Sequence, residues 1–560
     1  MALTKVSSGL MKPDNNLELE YTSQLGTTSV VGAATGYVVR TNYYDANVTA
    51  GSGATFKFTG VTTLGKAGNV PDADGYFYDA VGRQFAVVGS PVSVLAFGAV
   101  GDGVADDTAS MQAAHNTGRY IYYPEGAFVF SRITGTTGGI IGAGFRTILK
   151  TTDTTSGNVI DFVRTGSAED TINNSVWTFK DFCLQSNSNT EAQKTTGNGI
   201  KLSASTFESF YMRMENVSIR YLPNQVYLNN VTFYRIINCN FFFYAGNAIY
   251  TDEPLSTDNG ENEITGCSFY NGIGNNLASN AVYSYTGGMK FIGNKINGGG
   301  YGYTQAALTA NSTSILLMLG NSIENITYQN VRFIRPSGTG VFGQVTIVGN
   351  QINAVNVGIF VDTATAGTFE NLTITGNTFI TSFAGTFAVD MLSGRNFVIA
   401  DNIFRFFSGT LAKAIRINAA CTIGIIGKNA YSPEGGTAPV TNGSTSVEYK
   451  DQINGVIKHN FAVNTNLTFS GSGTIATITS INDAGNTYGP LFLNASIIVP
   501  NALIRMKSYT VATLPTATSQ GAGAVAYVTD ATVTTFASVV AGTGSNKVPV
   551  YSDGTNWRIG

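Results

Sequence analysis

The sequence predicts an all-β protein built around a parallel β-solenoid, and three observations carry that reading. First, a short pattern recurs in mid-chain: Phe291-Ile292-Gly293-Asn294-Lys295-Ile296, Met318-Leu319-Gly320-Asn321-Ser322-Ile323, Ile347-Val348-Gly349-Asn350-Gln351-Ile352 and Thr373-Ile374-Thr375-Gly376-Asn377-Thr378-Phe379. From Asn294 the intervals are 27, 29 and 27 residues, with weaker copies back through Cys267 and Cys239 and forward to Asn402. A period of this length marks stacked structural repeats. Second, each copy runs apolar, polar, Gly-Asn, apolar among Val, Ile, Phe and Thr, which suits a short strand and a bend rather than a helical turn. Third, 560 residues that are 43% hydrophobic and only 12% charged, with 65 glycines, describe a large, β-rich chain low in helix.

In a parallel solenoid equivalent residues lie about 4.8 Å apart on successive rungs. Asn294, Asn321, Asn350, Asn377 and Asn402 are therefore expected to stack with their amides hydrogen-bonded in a ladder, a structural role rather than a sugar-binding one. Of the four cysteines, Cys183, Cys239, Cys267 and Cys421, three fall in repeat segments, and none has metal-ligand spacing. No metal or cofactor is expected. With 32 basic and 35 acidic residues the net charge is −3, which argues against nucleic acid or an anionic membrane as partner. The N-terminus lacks an apolar stretch of signal-peptide length, and no membrane-length apolar run follows.

Residues 1–90 show β-type segments such as Gly36-Tyr37-Val38-Val39-Arg40 but no repeat, and read as a separate small β domain. Past Gly89-Ser90-Pro91, residues 91–119 form a lead-in segment with a helical stretch from Ala109 to His115, which Asp106 or Asp107 can cap. Asp102, Asp106 and Asp107 are read as turn and cap residues rather than catalytic ones. The solenoid occupies 120–455. Residues 456–505 read as a further β segment with alternating patches such as Thr474-Ile475-Ala476-Thr477-Ile478, expected to be a trimerisation or carbohydrate-binding module, and 506–560 as a C-terminal β module.

Phe97 to Ala114, with Gln112 and then Tyr122-Tyr123-Pro124-Glu125-Gly126, resembles the opening of the pectate-lyase-like right-handed β-helix superfamily, whose members plug the open end of the solenoid with that helix. A lid is physically expected, since a bare terminal rung leaves apolar residues and strand edges in water. Met1 to Ser90, with Asp74-Gly75-Tyr76-Phe77-Tyr78-Asp79, resembles a virion-attachment region, and the last 50 residues, from Ala512-Thr513-Leu514-Pro515 through Val525 to Asp530 and Val548 to Arg558, resemble terminal modules of phage tail proteins. The layout thus resembles a bacteriophage tailspike. That resemblance implies a homotrimer, assembled in the host cytoplasm and carried on the virion tail. It also implies a tail or baseplate protein as partner of the N-terminal domain, and binding and cleavage of a bacterial capsule or O-antigen polysaccharide.

Between the Asn corners a second alignment gives one strand per rung. Period two puts Tyr250, Tyr283, Arg332, Phe360, Asp390 and Arg416 in one outward column, with Asp252, Tyr285, Asp362 and Asn418 beside it. Aromatic rings, guanidinium groups and carboxylates are what an oligosaccharide groove needs, and Tyr250, Tyr283, Tyr285, Arg332, Arg335, Phe360 and Arg416 are the expected substrate-binding set. Asp362 and Asp390 are separated by one rung and two residues, about 8 Å between Cα atoms. That spacing fits the acid and base of an inverting glycosidase, so they are the expected catalytic pair. The runner-up acidic group is Asp252 and Glu253, followed by Asp258, Glu261 and Glu263 in a long excursion; its plain reading is a solvated loop.

Two other functions stay open. A polysaccharide lyase needs a base and a charge neutraliser; with His115 in the lid and His459 beyond the solenoid, it would use Tyr283 or Tyr285 with Arg332 or Arg335. No acidic cluster matches the superfamily's calcium site. A non-catalytic adhesin would present the same groove residues without cutting.

Overall fold

The computed structural model describes residues 16–21, 24–25, 37–43, 54–63, 66, 71–72, 74–164, 177–189, 196–204, 209–252, 261–272, 278–285, 287–306, 315–334, 343–362, 369–381, 387–406, 413–432, 440–444, 447–453, 456–462, 465–472, 475–481 and 506–560. Its centre is a right-handed parallel β-helix, the hand that parallel crossovers adopt. One rung shows the plan. Met289–Ile292 lies on a first face, Gly293-Asn294 turns the corner, Lys295–Gly298 lies on a second face, and Tyr301–Ala306 on a third. Each strand pairs in parallel with its equivalent on the next rung. The third face is a sheet of twelve described strands from Ile133–Gly135 to Val440–Asn442.

The Asn ladder is present and buried. Asn294 donates both its backbone N–H (2.8 Å) and its Nδ2 (3.1 Å) to Oδ1 of Asn321, and the same double contact repeats from Asn321 to Asn350, Asn350 to Asn377 and Asn377 to Asn402. The second Nδ2 hydrogen reaches a carbonyl on the preceding rung, as from Asn321 to Phe291 O at 2.8 Å. Each amide is thereby fully used, two donors and both lone pairs. The ladder runs one rung past the sequence expectation, to Asn429. Toward the N-terminus the backbone N–H of Cys267 bonds Oδ1 of Asn294, and that of Cys239 bonds Sγ of Cys267, so the buried cysteines occupy the Asn position.

The residue before each rung of the ladder is left-handed: Gly293, Gly320, Gly349 and Gly376 have φ between 62° and 66°. A side chain at Gly293 or Gly320 would meet nothing within 4 Å, so glycine serves the backbone angle and not the space. Asp401 and Lys428 hold the same angle at the last two corners, which is why Gly-Asn fades there in the sequence while the geometry persists.

The solenoid starts earlier than residue 120: Val92–Ser93 and Asp102–Asp106 already pair in parallel with Tyr120–Tyr123 and Gly126–Phe130. The helix Thr108–Asn116 follows and buries Met111, Ala114 and His115. Asp106 Oδ1 accepts from Thr108 N and Oγ1, while Asp107 turns back to accept from Val100 N and Gly101 N, and Asp102 accepts from Val104 N and Ala105 N. All three aspartates are turn and cap residues. The N-terminal region does not stand apart. Its five-stranded sheet buries Phe56, Phe77 and Phe85 in the apolar core shared with the solenoid, and the Phe77 ring lies 5.8 Å from that of Phe97.

At the far end Val447–Ile453 pairs in parallel with Cys421–Gly427, after which the strands run as an antiparallel meander through Val456–Ala462, Thr465–Ser472 and Ile475–Ile481. His459 belongs to this meander. Residues 506–560 belong to a second compact unit, whose four-stranded sheet closes a small core around Val528, Val550 and Trp557. Among the described residues no helix is long and apolar enough to cross a membrane.

Asn350→Ala strands the buried backbone N–H and Nδ2 of Asn321, and is expected to cost about 2–4 kcal/mol in denaturant unfolding. His115 is enclosed, with Nε2 2.9 Å from the Tyr123 hydroxyl, and burial lowers its pKa from 6.5 to about 3. The folded state keeps the ring neutral while the unfolded chain protonates it. Its stabilisation is therefore complete above pH 6.5 and is lost as pH falls toward 3, by up to about 1.4 kcal/mol per pH unit. His115→Gln is expected to flatten that slope between pH 6.5 and 5 in unfolding measurements.

Candidate functional site

Strand register on the third face turns alternate residues into continuous columns. The outward column runs Asp161, Lys201, Tyr227, Tyr250, Tyr283, Thr304, Arg332, Phe360, Asp390, Arg416. All six residues that the sequence alignment assigned to this column lie in it. Four members escaped that alignment: Asp161, Lys201, Tyr227 and Thr304. Tyr227 sits in Gln225-Val226-Tyr227-Leu228-Asn229, the same pattern as the rung after it, and could have been found. Thr304 belongs to the rung Tyr301–Ala306, hidden because its inward residue is Tyr303, whose hydroxyl is satisfied inside by Gln305 at 2.7 Å. Arg332 therefore stands two rungs from Tyr283, not one.

Tyr227, Tyr250, Tyr283 and Tyr285 form a half-buried aromatic cluster. Ring centroids are 5.0 Å apart for Tyr227 and Tyr250, 5.6 Å for Tyr250 and Tyr283, and 5.2 Å for Tyr283 and Tyr285, whose hydroxyls approach to 3.2 Å. Asp252 registers with Asn229 in the adjoining column, and its Oδ2 accepts a long hydrogen bond, 3.4 Å, from the Tyr227 hydroxyl. Burial among these rings raises the Asp252 pKa above the ordinary carboxylate value, against the lowering effect of the Tyr227 bond. Burial likewise pushes the Tyr250 and Tyr283 phenols well above theirs, and for Tyr283 the neighbouring Arg332 only partly offsets this. Both hydroxyls stay protonated at neutral pH and act as hydrogen-bond donors.

The other carboxylates are differently placed. Asp390 registers with Phe360, so Asp362 is its diagonal neighbour as the alignment had it. Asp390, however, is held by Arg416: Nε donates to Oδ1 at 2.7 Å and Nη2 to Oδ2, with the guanidinium 4.1 Å over the Phe387 ring. The Asp390 side chain is only 2% exposed. The guanidinium takes a lone pair on each oxygen of a buried carboxylate, which commits Asp390 to Arg416 rather than to a substrate. Asp362 is half-buried beside Ile334. Glu261 and Glu263 belong to the first face, where they pair with Lys290 and Arg235, and Glu324 pairs with Lys295 on the second. Glu253, Asp258 and Arg335 lie outside the described residues. Among the described residues no group of three or more metal-ligating side chains forms.

No protein-family model and no curated protein sequence matches the chain. Solved structures resemble it in fold. The mannuronan C-5 epimerase AlgE6 A-module of Azotobacter vinelandii superposes with a TM-score of 0.46 at 15% identity, covering 65% of this chain and 99% of its own. The gp42 tailspike of Acinetobacter phage vb_AbaP_AS12 gives 0.45 at 12% identity over 97% of this chain and 88% of its own. The tailspike of the E. coli bacteriophage HK620, solved with a pentasaccharide, gives 0.45 at 11% over 70% and 92%.

Arg416→Ala leaves the Asp390 carboxylate buried without its counter-ion. A loss of about 2–3 kcal/mol in equilibrium unfolding is expected, with the double change Asp390→Asn plus Arg416→Gln costing less than the single one.

Proposed function

We propose that this chain is a tailspike-type protein that binds a bacterial surface polysaccharide along its third face and hydrolyses it. The observation that carries the reading is the tyrosine cluster around Asp252. Sugar rings offer flat C–H faces to aromatic planes, and the protonated phenols of Tyr250 and Tyr283 donate to hydroxyl and ring oxygens. A carboxyl biased toward its protonated form sits among them, which is what a general acid for glycosidic cleavage requires.

In this reading Asp252 gives its proton to the departing glycosidic oxygen as the C1–O bond breaks. Water adds to C1 and passes its proton to a second carboxylate. Substrate that displaces water from the cluster shifts the Asp252 equilibrium further toward the acid form. Glu253, next in the chain, is the second carboxylate we assign. The Arg416 clamp moves the acid role away from Asp390, and Asp362 with Phe360 extends the binding surface. The raised phenol pKa of Tyr283 disfavours its use as the base of a lyase. Homotrimeric assembly, attachment to a phage tail through the N-terminal region and action at the bacterial surface are supported by the sequence resemblance, and complete the proposal.

The test is to incubate the full chain with capsule and lipopolysaccharide from candidate hosts, following reducing ends, 232 nm absorbance and product masses together. New reducing ends without absorbance, and products one water heavier, are expected. Asp252→Asn should retain binding and lose about 10²–10⁴ in rate, and the wild-type rate should fall as pH rises past the Asp252 pKa. Absorbing products would replace hydrolysis by elimination. Binding without products would make the protein an adhesin.

A further inference from the structure

The outward column contains two arginines stacked on aromatic rings, and they differ in one respect. Arg416 lies 4.1 Å over Phe387 and has Asp390 on the adjoining rung, which its guanidinium grips at both oxygens. Arg332 lies 3.8 Å over Tyr301, itself packed on Tyr328 at 5.2 Å, but the adjoining positions of its column are Thr304 and Phe360. Thr304 is buried and its hydroxyl is spent on Asn280 at 2.9 Å. Among the described residues no carboxylate reaches Arg332, and its Nε is buried without a hydrogen-bond partner. A desolvated guanidinium N–H left unpaired is unfavourable unless an acceptor arrives. The rest of the side chain is half-buried at the surface of the face that carries the tyrosines.

We infer that Arg332 is a carboxylate subsite, and that the polysaccharide taken by this face is acidic, carrying a uronic acid or a pyruvate ketal. The inference rests on the reading of the third face as a glycan groove and names the class of glycan. The ligand's carboxylate takes the place that Asp390 fills for Arg416, accepting from the fork of Arg332 while Tyr301 holds the guanidinium plane. Arg332 is two rungs from Tyr283, roughly 10 Å. The acidic sugar therefore sits beyond the ring stacked on the tyrosines, at the edge of the cluster where the Arg332 charge still reaches Tyr283.

The experiment measures binding of the full chain to a panel of capsular and O-antigen polysaccharides of known repeat, neutral and acidic. Each bound acidic polymer is retested after carbodiimide and borohydride reduction, which converts uronates to neutral sugars, and after mild acid, which removes pyruvate ketals. Wild-type affinity should fall about tenfold or more on whichever treatment removes the carboxylate, and the two arms identify its source. Arg332→Gln should weaken binding of the native polymer by the same factor and leave the treated polymer unaffected; Arg332→Lys should recover only part. Tyr250→Ala should weaken both polymers alike, which tests the groove itself. Preference for neutral polymers, or an equal loss with Arg332→Gln on native and treated polymer, overturns the acidic subsite while the groove stands. No binding to any polymer, or an unaffected Tyr250→Ala, overturns the groove reading and the subsite together.

Discussion

The Asn ladder is the constraint on which the rest of the solenoid depends. Each rung is tied to the next at the same three atoms, an amide oxygen and the two N–H groups that donate to it, in a corner closed to water. In that setting a missing partner is expensive, because the corner's backbone donors have no alternative acceptor. The ladder therefore sets register. The intervals between its members range from 25 to 29 residues, yet the second-face strands hold register at Ile296, Ile323, Ile352, Phe379 and Phe404, with one bulge just past the Ile323–Ile352 pair. Differences in length fall instead in the connections between faces, as between Asp362 and Leu372, Met391 and Gly394, or Thr381 and Phe387.

Fixed register is what gives the third face its chemistry. A side chain in a parallel stack meets its own equivalents above and below, so one residue choice per rung becomes a surface. Inward, Ile249, Val282, Tyr303, Val331 and Ile359 make a dry column. Outward, the same strands set Tyr227, Tyr250 and Tyr283 ring against ring, and that packing withholds water from Asp252. The electrostatics of the face thus follow from its stacking: the carboxyl is biased toward its acid form by neighbours on three rungs. Further along, the column is closed by its own ion pair at Asp390 and Arg416, and open at Arg332.

The ends of the solenoid solve a different problem. Both faces of a terminal rung would expose apolar residues, and the N-terminal end covers them with a helix whose one histidine is neutral in the apolar contact with Tyr123 and Phe162. The N-terminal sheet continues that core through Phe77 and Phe97. The C-terminal end changes from parallel to antiparallel pairing after Val447–Ile453.

The repeat of Gly-Asn between apolar residues determined the solenoid, its Asn ladder and the alternation that selects the outward column, because these follow from local period and from the hydrogen-bonding needs of a buried amide. Tyr250, Tyr283, Arg332, Phe360, Asp390 and Arg416 were legible as one column for that reason. The rung carrying Thr304 was not, since a buried tyrosine paired with a glutamine does not look like an inward position. Nor was the state of the carboxylates legible. Asp362 and Asp390 have suitable spacing on paper, but only the folded rungs show Arg416 turned back onto Asp390, and only ring packing from neighbouring rungs removes water from Asp252. Spacing along a strand is a property of the chain; desolvation and ion pairing depend on residues some 25 positions away in sequence, brought within contact by the stack.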